Sequence, residues 1–173
     1  MKTPPAVPFL ILAMVFHPGP SQAAWSADGN VISAAGNEQG RPVIVSDGAG
    51  GAIVVWADYR NTNYDIYAQR IGPSGAVMWT PDGVVLCTAL KNQTNPTIVA
   101  DGSGGAIVTW QDERSSFNDI YAQRINAAGA VQWTPADGVA LCVTGGDQIY
   151  PTLSSDGSGE AIVAWQDKSK RYQ

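Results

Sequence analysis

The chain has 173 residues, enough for one domain with a sizeable core, and its 45% hydrophobic fraction separates it from disordered sequences. Only 14% of the residues are charged and the net charge is −5 at pH 7, so there is no basic surface to release counterions from a nucleic-acid backbone. Apart from Glu38, Glu113 and Glu160 the acids are all Asp, and with 19 Gly this bias favours turns and strand ends over helices; the expected class is all-β.

Residues 1–23 read as a secretory leader. Lys2 gives a positive start, residues 6–16 are apolar apart from Pro8, and Ser21-Gln22-Ala23 offers small residues for a signal peptidase, with cleavage after Ala23. The apolar run falls short of the roughly 20 residues that a membrane span needs. The expected location is therefore extracellular or periplasmic, with no membrane span in the mature chain. Cleavage also removes His17, the one histidine.

From Trp25 onward the chain repeats. Trp56, Trp110 and Trp165 are separated by 54 and 55 residues, as are Asp47, Asp101 and Asp156, and Pro42, Pro96 and Pro151. The extra residue is Ala136, inserted where Trp79-Thr-Pro-Asp-Gly becomes Trp133-Thr-Pro-Ala-Asp-Gly. The repeat region 24–173 divides into a half-unit at 25–41, full units at 42–95 and 96–150, and a partial unit at 151–173. All six tryptophans occupy repeat positions and are expected in the interior.

Within a unit the pattern predicts four strands. Residues 42–46 form the first, and Asp47-Gly-Ala-Gly-Gly is a hairpin turn. Residues 52–58 form the second strand and 65–71 the third. The fourth is split, with 75–79 and 84–87 on either side of Pro81-Asp82-Gly83. In the second strand Val54 and Trp56 alternate with Ile53 and Val55, so both faces are apolar and the sheet must lie between others. Four antiparallel strands in about 54 residues, repeated in tandem, meet the requirements of a β-propeller blade. A β-trefoil is the alternative, and it would need a third copy of Asp-Ile-Tyr-Ala-Gln-Arg beyond those at 65–70 and 119–124.

Gly-Gly-Ala-Ile-Val-x-Trp-x-Asp-x-Arg followed by Asp-Ile-Tyr-Ala-Gln-Arg resembles the blade repeats of large secreted bacterial β-propeller proteins, over nearly all of residues 25–167. The resemblance implies the architecture and names no activity. Propellers have about 4 to 8 blades, so the chain is expected to be an N-terminal fragment. Its exposed sheet edges are expected to favour self-association.

A residue present in every copy is expected to hold the repeat together, because a specific site normally occurs once. Asp58 with Arg60, and Asp112 with Arg114, are read as partners within a blade. Asp65 with Arg70, and Asp119 with Arg124, bracket the next strand and extend that network. The alternative for Asp58, Asp65, Asp112 and Asp119 is calcium, a hard cation that takes carboxylate and carbonyl oxygens, although no Asp-x-Asp-x-Asp-Gly loop is present. Cys87 and Cys142 occupy equivalent positions on neighbouring blades, too far apart for a disulfide, and are expected as buried thiols. Without a mature histidine there is no Ser-His-Asp set, and no catalytic residue or cofactor is nominated.

Positions that differ between copies are the better binding candidates. Tyr59, Asn63 and Tyr64 correspond to Glu113, Phe117 and Asn118, while Leu90, Lys91 and Asn95 correspond to Gly145, Gly146 and Tyr150. Tyr59, Tyr64, Phe117 and Tyr150 are the candidate ligand-binding residues. Three readings follow. The first is a secreted, non-catalytic scaffold binding an extracellular protein or glycan. The second is part of a carboxylate-based extracellular glycoside hydrolase or lyase, and the third is an array of architectural spacer repeats.

Overall fold

A computed structural model describes residues 10–12 and 25–169. The expected leader and its cleavage point lie, apart from residues 10–12, outside the described residues. The strands are β1 (Leu10–Leu12), β2 (Asn30–Ser33), β3 (Gln39–Ser46), β4 (Ala52–Asp58), β5 (Asp65–Ile71) and β6 (Val84–Cys87), then β7 (Gln93–Ala100), β8 (Ala106–Asp112), β9 (Asp119–Ile125), β10 (Val139–Cys142), β11 (Gln148–Ser155) and β12 (Ala161–Asp167). Among the described residues there is no helix, and so none long and apolar enough to cross a membrane.

The fold is all-β and repeats one unit, a four-stranded antiparallel meander. One sheet runs β3-β4-β5-β6 and the next β7-β8-β9-β10, while β11 and β12 begin a third. These are tandem blades of a partial propeller, in place of the hairpin-built units of a trefoil. The sheets stack face to face and approach each other along their first strands, β3, β7 and β11. At the other end of the series β1 pairs with β2, matching Ile11 to Val31 and Leu12 to Asn30. This is the register in which β5 meets β6, where Tyr67 is matched to Val85 and Ala68 to Val84.

The two apolar faces of the second strand do different work. Ile53 and Val55 pack with Ile66, Ala68 and Leu86 against Ala106, Val108, Trp110 and Ile125 of the next blade. Val54 and Trp56 pack with Tyr67 against Ile32 and Trp25 of the preceding half-unit. Burying each large side chain contributes about 1.5–3 kcal/mol before entropy is charged against it. β4 and β8 are accordingly closed to solvent along almost their whole length, whereas β12 alternates between half-buried and exposed.

That difference corrects the expectation for the tryptophans. Trp56, Trp110 and Trp79 are buried, with relative exposures of 0%, 0% and 9%, but Trp25, Trp133 and Trp165 are only half-buried. Burial here depends on a neighbouring sheet, and these three lie where one is incomplete. Gly83 (φ 92°) and Gly138 (φ 94°) close over Trp56 and Trp110, where an added Cβ would come within 2.6 Å of the ring. Ala136 therefore lengthens the loop and leaves the glycine in place on its tryptophan.

Two strand boundaries also differ from expectation. The first strand begins before the proline, at Gln39, Gln93 and Gln148, and passes it through a register shift, with Arg41, Asn95 and Tyr150 in the left-handed region at φ 54°, 52° and 55°. Of the expected fourth strand only Val84–Cys87 and its copy pair continuously, with Val77 making an isolated bridge to Ile71. The Trp79 N–H is diverted to the Gln69 side chain at 2.9 Å.

Candidate functional site

Each sheet has two ends, and they differ in chemistry. One end carries the β3–β4 and β5–β6 turns and is nearly the same in each copy. Asp47 Oδ1 accepts the N–H groups of Ala49 and Gly51, both at 2.8 Å, and Asp47 Oδ2 pairs with Arg70 at 2.8 Å. Asp101 repeats this with Ser103, Gly105 and Arg124, the ion pair being 2.9 Å. Arg70 and Arg124 thus close the hairpin turns at the far end of the strand from Asp65 and Asp119, which corrects the expectation that they extend the network of Asp58 and Asp112. Gln69 and Gln123 clamp the following Trp hairpin, donating to Thr80 O at 2.8 Å and Trp133 O at 3.1 Å.

The Asp-Ile-Tyr-Ala-Gln-Arg motif is therefore a set of fasteners. Its Ile and Ala fill the core, its Gln and Arg hold the two turns, and its Tyr lies beneath the preceding arginine. Asp58 accepts from Trp56 Nε1 at 2.8 Å and pairs with Arg60 at 2.6 Å. Asp112 does the same with Trp110 at 2.9 Å and Arg114 at 2.6 Å. The guanidiniums sit 3.8 Å and 3.9 Å from the ring centroids of Tyr67 and Tyr121. Asp65 accepts from Asn61 and Asn63, each at 2.9 Å, and Asp119 from Ser115 at 2.7 Å. The four calcium candidates thus face donors within their own blade, and among the described residues no three acidic, His or Cys side chains cluster as metal ligands.

These bonds set a pH dependence. Burial raises the Asp47 and Asp101 carboxyls, but the backbone N–H groups and Arg70 or Arg124 outweigh it, and both end below the ordinary 3.8. A lowered folded value means that their contribution is complete above about pH 3.8 and is lost as the pH falls through the lowered value. Asp65 acts with the opposite sign, because burial pushes its carboxyl up despite Asn61 and Asn63. The melting temperature should fall steeply below the ordinary carboxylate range, and the Asp47→Asn and Asp101→Asn variants should show a shallower fall; equal slopes would contradict the assignment.

The cysteines are free thiols, Cys87 buried and Cys142 half-buried. The expectation of two buried thiols thus holds for Cys87 alone. Burial pushes the Cys87 thiol up to about 12. In the native protein at pH 8, iodoacetamide should label Cys142 and leave Cys87 unmodified until denaturant is added; equal labelling, read by mass spectrometry, would contradict the burial of Cys87.

The opposite end carries the loops that vary. Tyr59 and Tyr64 meet edge to face with centroids 4.9 Å apart, and the Tyr64 hydroxyl donates to Glu38 at 2.8 Å. In the next blade Glu113 and Asn118 replace that pair and a cleft of about 160 Å³ opens. Lys91, Glu113, Phe117, Asn118 and Asp147 line it. Lys91 Nζ donates to Ser115 O, Asn92 to Glu113 at 3.0 Å, and the Asn118 N–H to Asp147 at 3.1 Å, so the loops brace one another across blades.

A polar chain continues inward along the first strands. Arg41 donates to Asn95, Asn95 Nδ2 donates to Gln111 Oε1 at 2.6 Å, and the same oxygen accepts the Tyr150 N–H at 2.9 Å. Gln111 Nε2 reaches Asn118 at 3.3 Å, which links Tyr150 to the Phe117 loop. Tyr59, Phe117 and Tyr150 are 38%, 48% and 65% exposed. The structure thus brings Tyr59 and Tyr64 into contact, joins the Phe117 loop to Tyr150 through Gln111, and leaves Phe117 and Tyr150 open to solvent. Sequence reasoning missed Arg41 and Gln111. For Arg41 the available signal was that it differs from its counterparts Asn95 and Tyr150, whereas Gln111 differs from Ala57 but matches Gln166 and gave no such signal.

This end offers aromatic faces, amides and a few charges on a braced scaffold. Comparison with protein-family descriptions, curated proteins and solved structures finds no match to the chain.

Proposed function

We propose that this chain is a non-catalytic binding scaffold of the cell exterior that presents the variable end of its blades to an extracellular protein or glycan. The observation that carries the reading is the division between the two ends. Asp47, Arg70, Asp101 and Arg124 repeat one structural solution at one end, while the other end changes its aromatic and charged residues from copy to copy and leaves them exposed. Loops on a rigid scaffold are where recognition is usually placed. The leader-like residues 1–23 and the resemblance to secreted propeller repeats support the external location.

The test is a glycan and surface-protein array probed with the chain and with a Tyr59→Ala/Phe117→Ala/Tyr150→Ala variant. The expected result is a ligand that the variant binds at least about tenfold more weakly, with unchanged circular dichroism. A ligand held equally by both proteins would overturn the assignment of the face. Polymer hydrolysis without retained binding would favour the glycoside hydrolase or lyase reading.

A further inference from the structure

The loops after β4 and β8 share one backbone arrangement and differ in what fills them. Tyr59 N donates to Glu38 O at 2.8 Å and Gln93 N to Tyr64 O at 2.6 Å; in the next copy Glu113 N donates to Asn92 O at 2.9 Å and Gln148 N to Asn118 O at 2.7 Å. On the far side Asn92 Oδ1 accepts from Tyr64 N at 3.2 Å, and Asp147 Oδ1 accepts from Asn118 N at 3.1 Å. Each loop therefore has the same two neighbours, the connection into its own blade and the connection into the following one. The contents of the loops differ through their side chains alone.

In the first copy Tyr59 and Tyr64 pack against each other, and the Asn63 amide turns inward to Asp65 and to the Lys91 carbonyl. In the second, Glu113 and Asn118 stand where the two rings were, the cleft of about 160 Å³ opens, and Phe117 replaces the inward amide with 48% of its surface exposed. The loop closes in the first blade with Asn63 at this position, so its fold does not require an aromatic ring there.

The groups inside the cleft are of both polar kinds. Glu113 Oε2 accepts from Asn92 at 3.0 Å and Asp147 Oδ1 from the Asn118 backbone and amide, while Glu113 Oε1 and Asp147 Oδ2 have no hydrogen-bond donor among the described residues. The donors are the Lys91 ammonium, which directs one N–H to the Ser115 carbonyl, and the Ser116 hydroxyl. A cation entering the cleft would meet Lys91, an anion would meet Glu113 and Asp147, and an apolar group would leave these acceptors desolvated and unpaired. Hydroxyl groups both donate and accept. A ring that carries them along its edge keeps a C–H face for Phe117.

We propose, building on the reading that this end of the blades binds, that the cleft takes one residue of a neutral glycan. Glu113 and Asp147 accept from neighbouring hydroxyls, Lys91 and Ser116 donate, and Phe117 covers the C–H face of the sugar ring.

The probe is an array of neutral oligosaccharides of glucose, galactose, mannose, xylose and N-acetylglucosamine, with oligogalacturonates as the charged comparison, titrated with the full chain. The expected result is saturable binding of at least one neutral oligosaccharide, little changed between about 0.05 and 0.5 M salt. It should weaken by at least about tenfold in each of two variants with unchanged circular dichroism. Glu113→Tyr/Asn118→Tyr copies the filled loop of the first blade and so closes the cleft on a backbone that accepts both rings, and Phe117→Asn removes the ring at its mouth. No binding across the neutral oligosaccharides, tighter binding of the oligogalacturonates, or a neutral sugar held equally by the closed-cleft variant would overturn the site. A protein bound through Tyr59, Phe117 and Tyr150 in place of any sugar would also overturn it, and would leave the broader assignment of the binding face standing.

Discussion

Replacing Trp110 by Ala is expected to lower the free energy of unfolding by about 3–5 kcal/mol. Trp110 is closed to solvent, lies in the core between the first two blades, and is covered by Gly138. Its removal leaves a cavity that the braced strands cannot collapse to fill, and it strips one donor from Asp112. The equivalent Trp165→Ala change is expected to cost less than about 1 kcal/mol, because that side chain remains half-exposed. Urea unfolding followed by circular dichroism measures both. Equal losses at the two positions would mean that β12 is as enclosed as β8.

The second large effect is expected at Asp112. It is closed to solvent and holds Trp110 Nε1 and Arg114 together. Asp112→Ala leaves the guanidinium over Tyr121 with the Asp137 carbonyl and the Cys87 sulfur as its remaining partners. Breaking such a pair from one side costs about 3–5 kcal/mol, and the low end applies because Arg114 keeps some access to water. The double variant Asp112→Ala/Arg114→Met should recover part of the loss by removing the stranded charge as well. A double variant less stable than Asp112→Ala alone would show that Arg114 packs for its own sake and is not held there by the carboxylate.

The second and third strands were legible in the sequence to the residue, because alternating apolar faces and a repeated motif are local signals. The first strand was read short, since Arg41-Pro42 looks like an interruption and only the backbone shows that the strand passes it as a bulge. The expectation that Arg70 extends the Asp58–Arg60 network failed because its partner Asp47 lies across the sheet on the preceding turn, at the other end of the strand from Asp65. The half-exposed tryptophans were misread for a related reason, as a residue's own repeat position does not reveal whether a neighbouring sheet covers it.

The candidate site was half legible. Comparing copies exposed Tyr59, Tyr64, Phe117 and Tyr150, because variation against a repeating background stands out even in one sequence. The Arg41–Asn95–Gln111 chain did not stand out, since its members come from different strands that only the stacking of blades brings together.

Residue-resolved hydrogen exchange on the full chain tests the central claim, that this is a stack of repeating blades in which enclosure is decided by neighbours. β8 and β12 are nearly the same strand in sequence, Ala-Ile-Val-Thr-Trp-Gln-Asp against Ala-Ile-Val-Ala-Trp-Gln-Asp. The account predicts strong protection of the amides of β8, bonded on both sides by β7 and β9, and weak protection along β12. Equal protection of the two strands would contradict it.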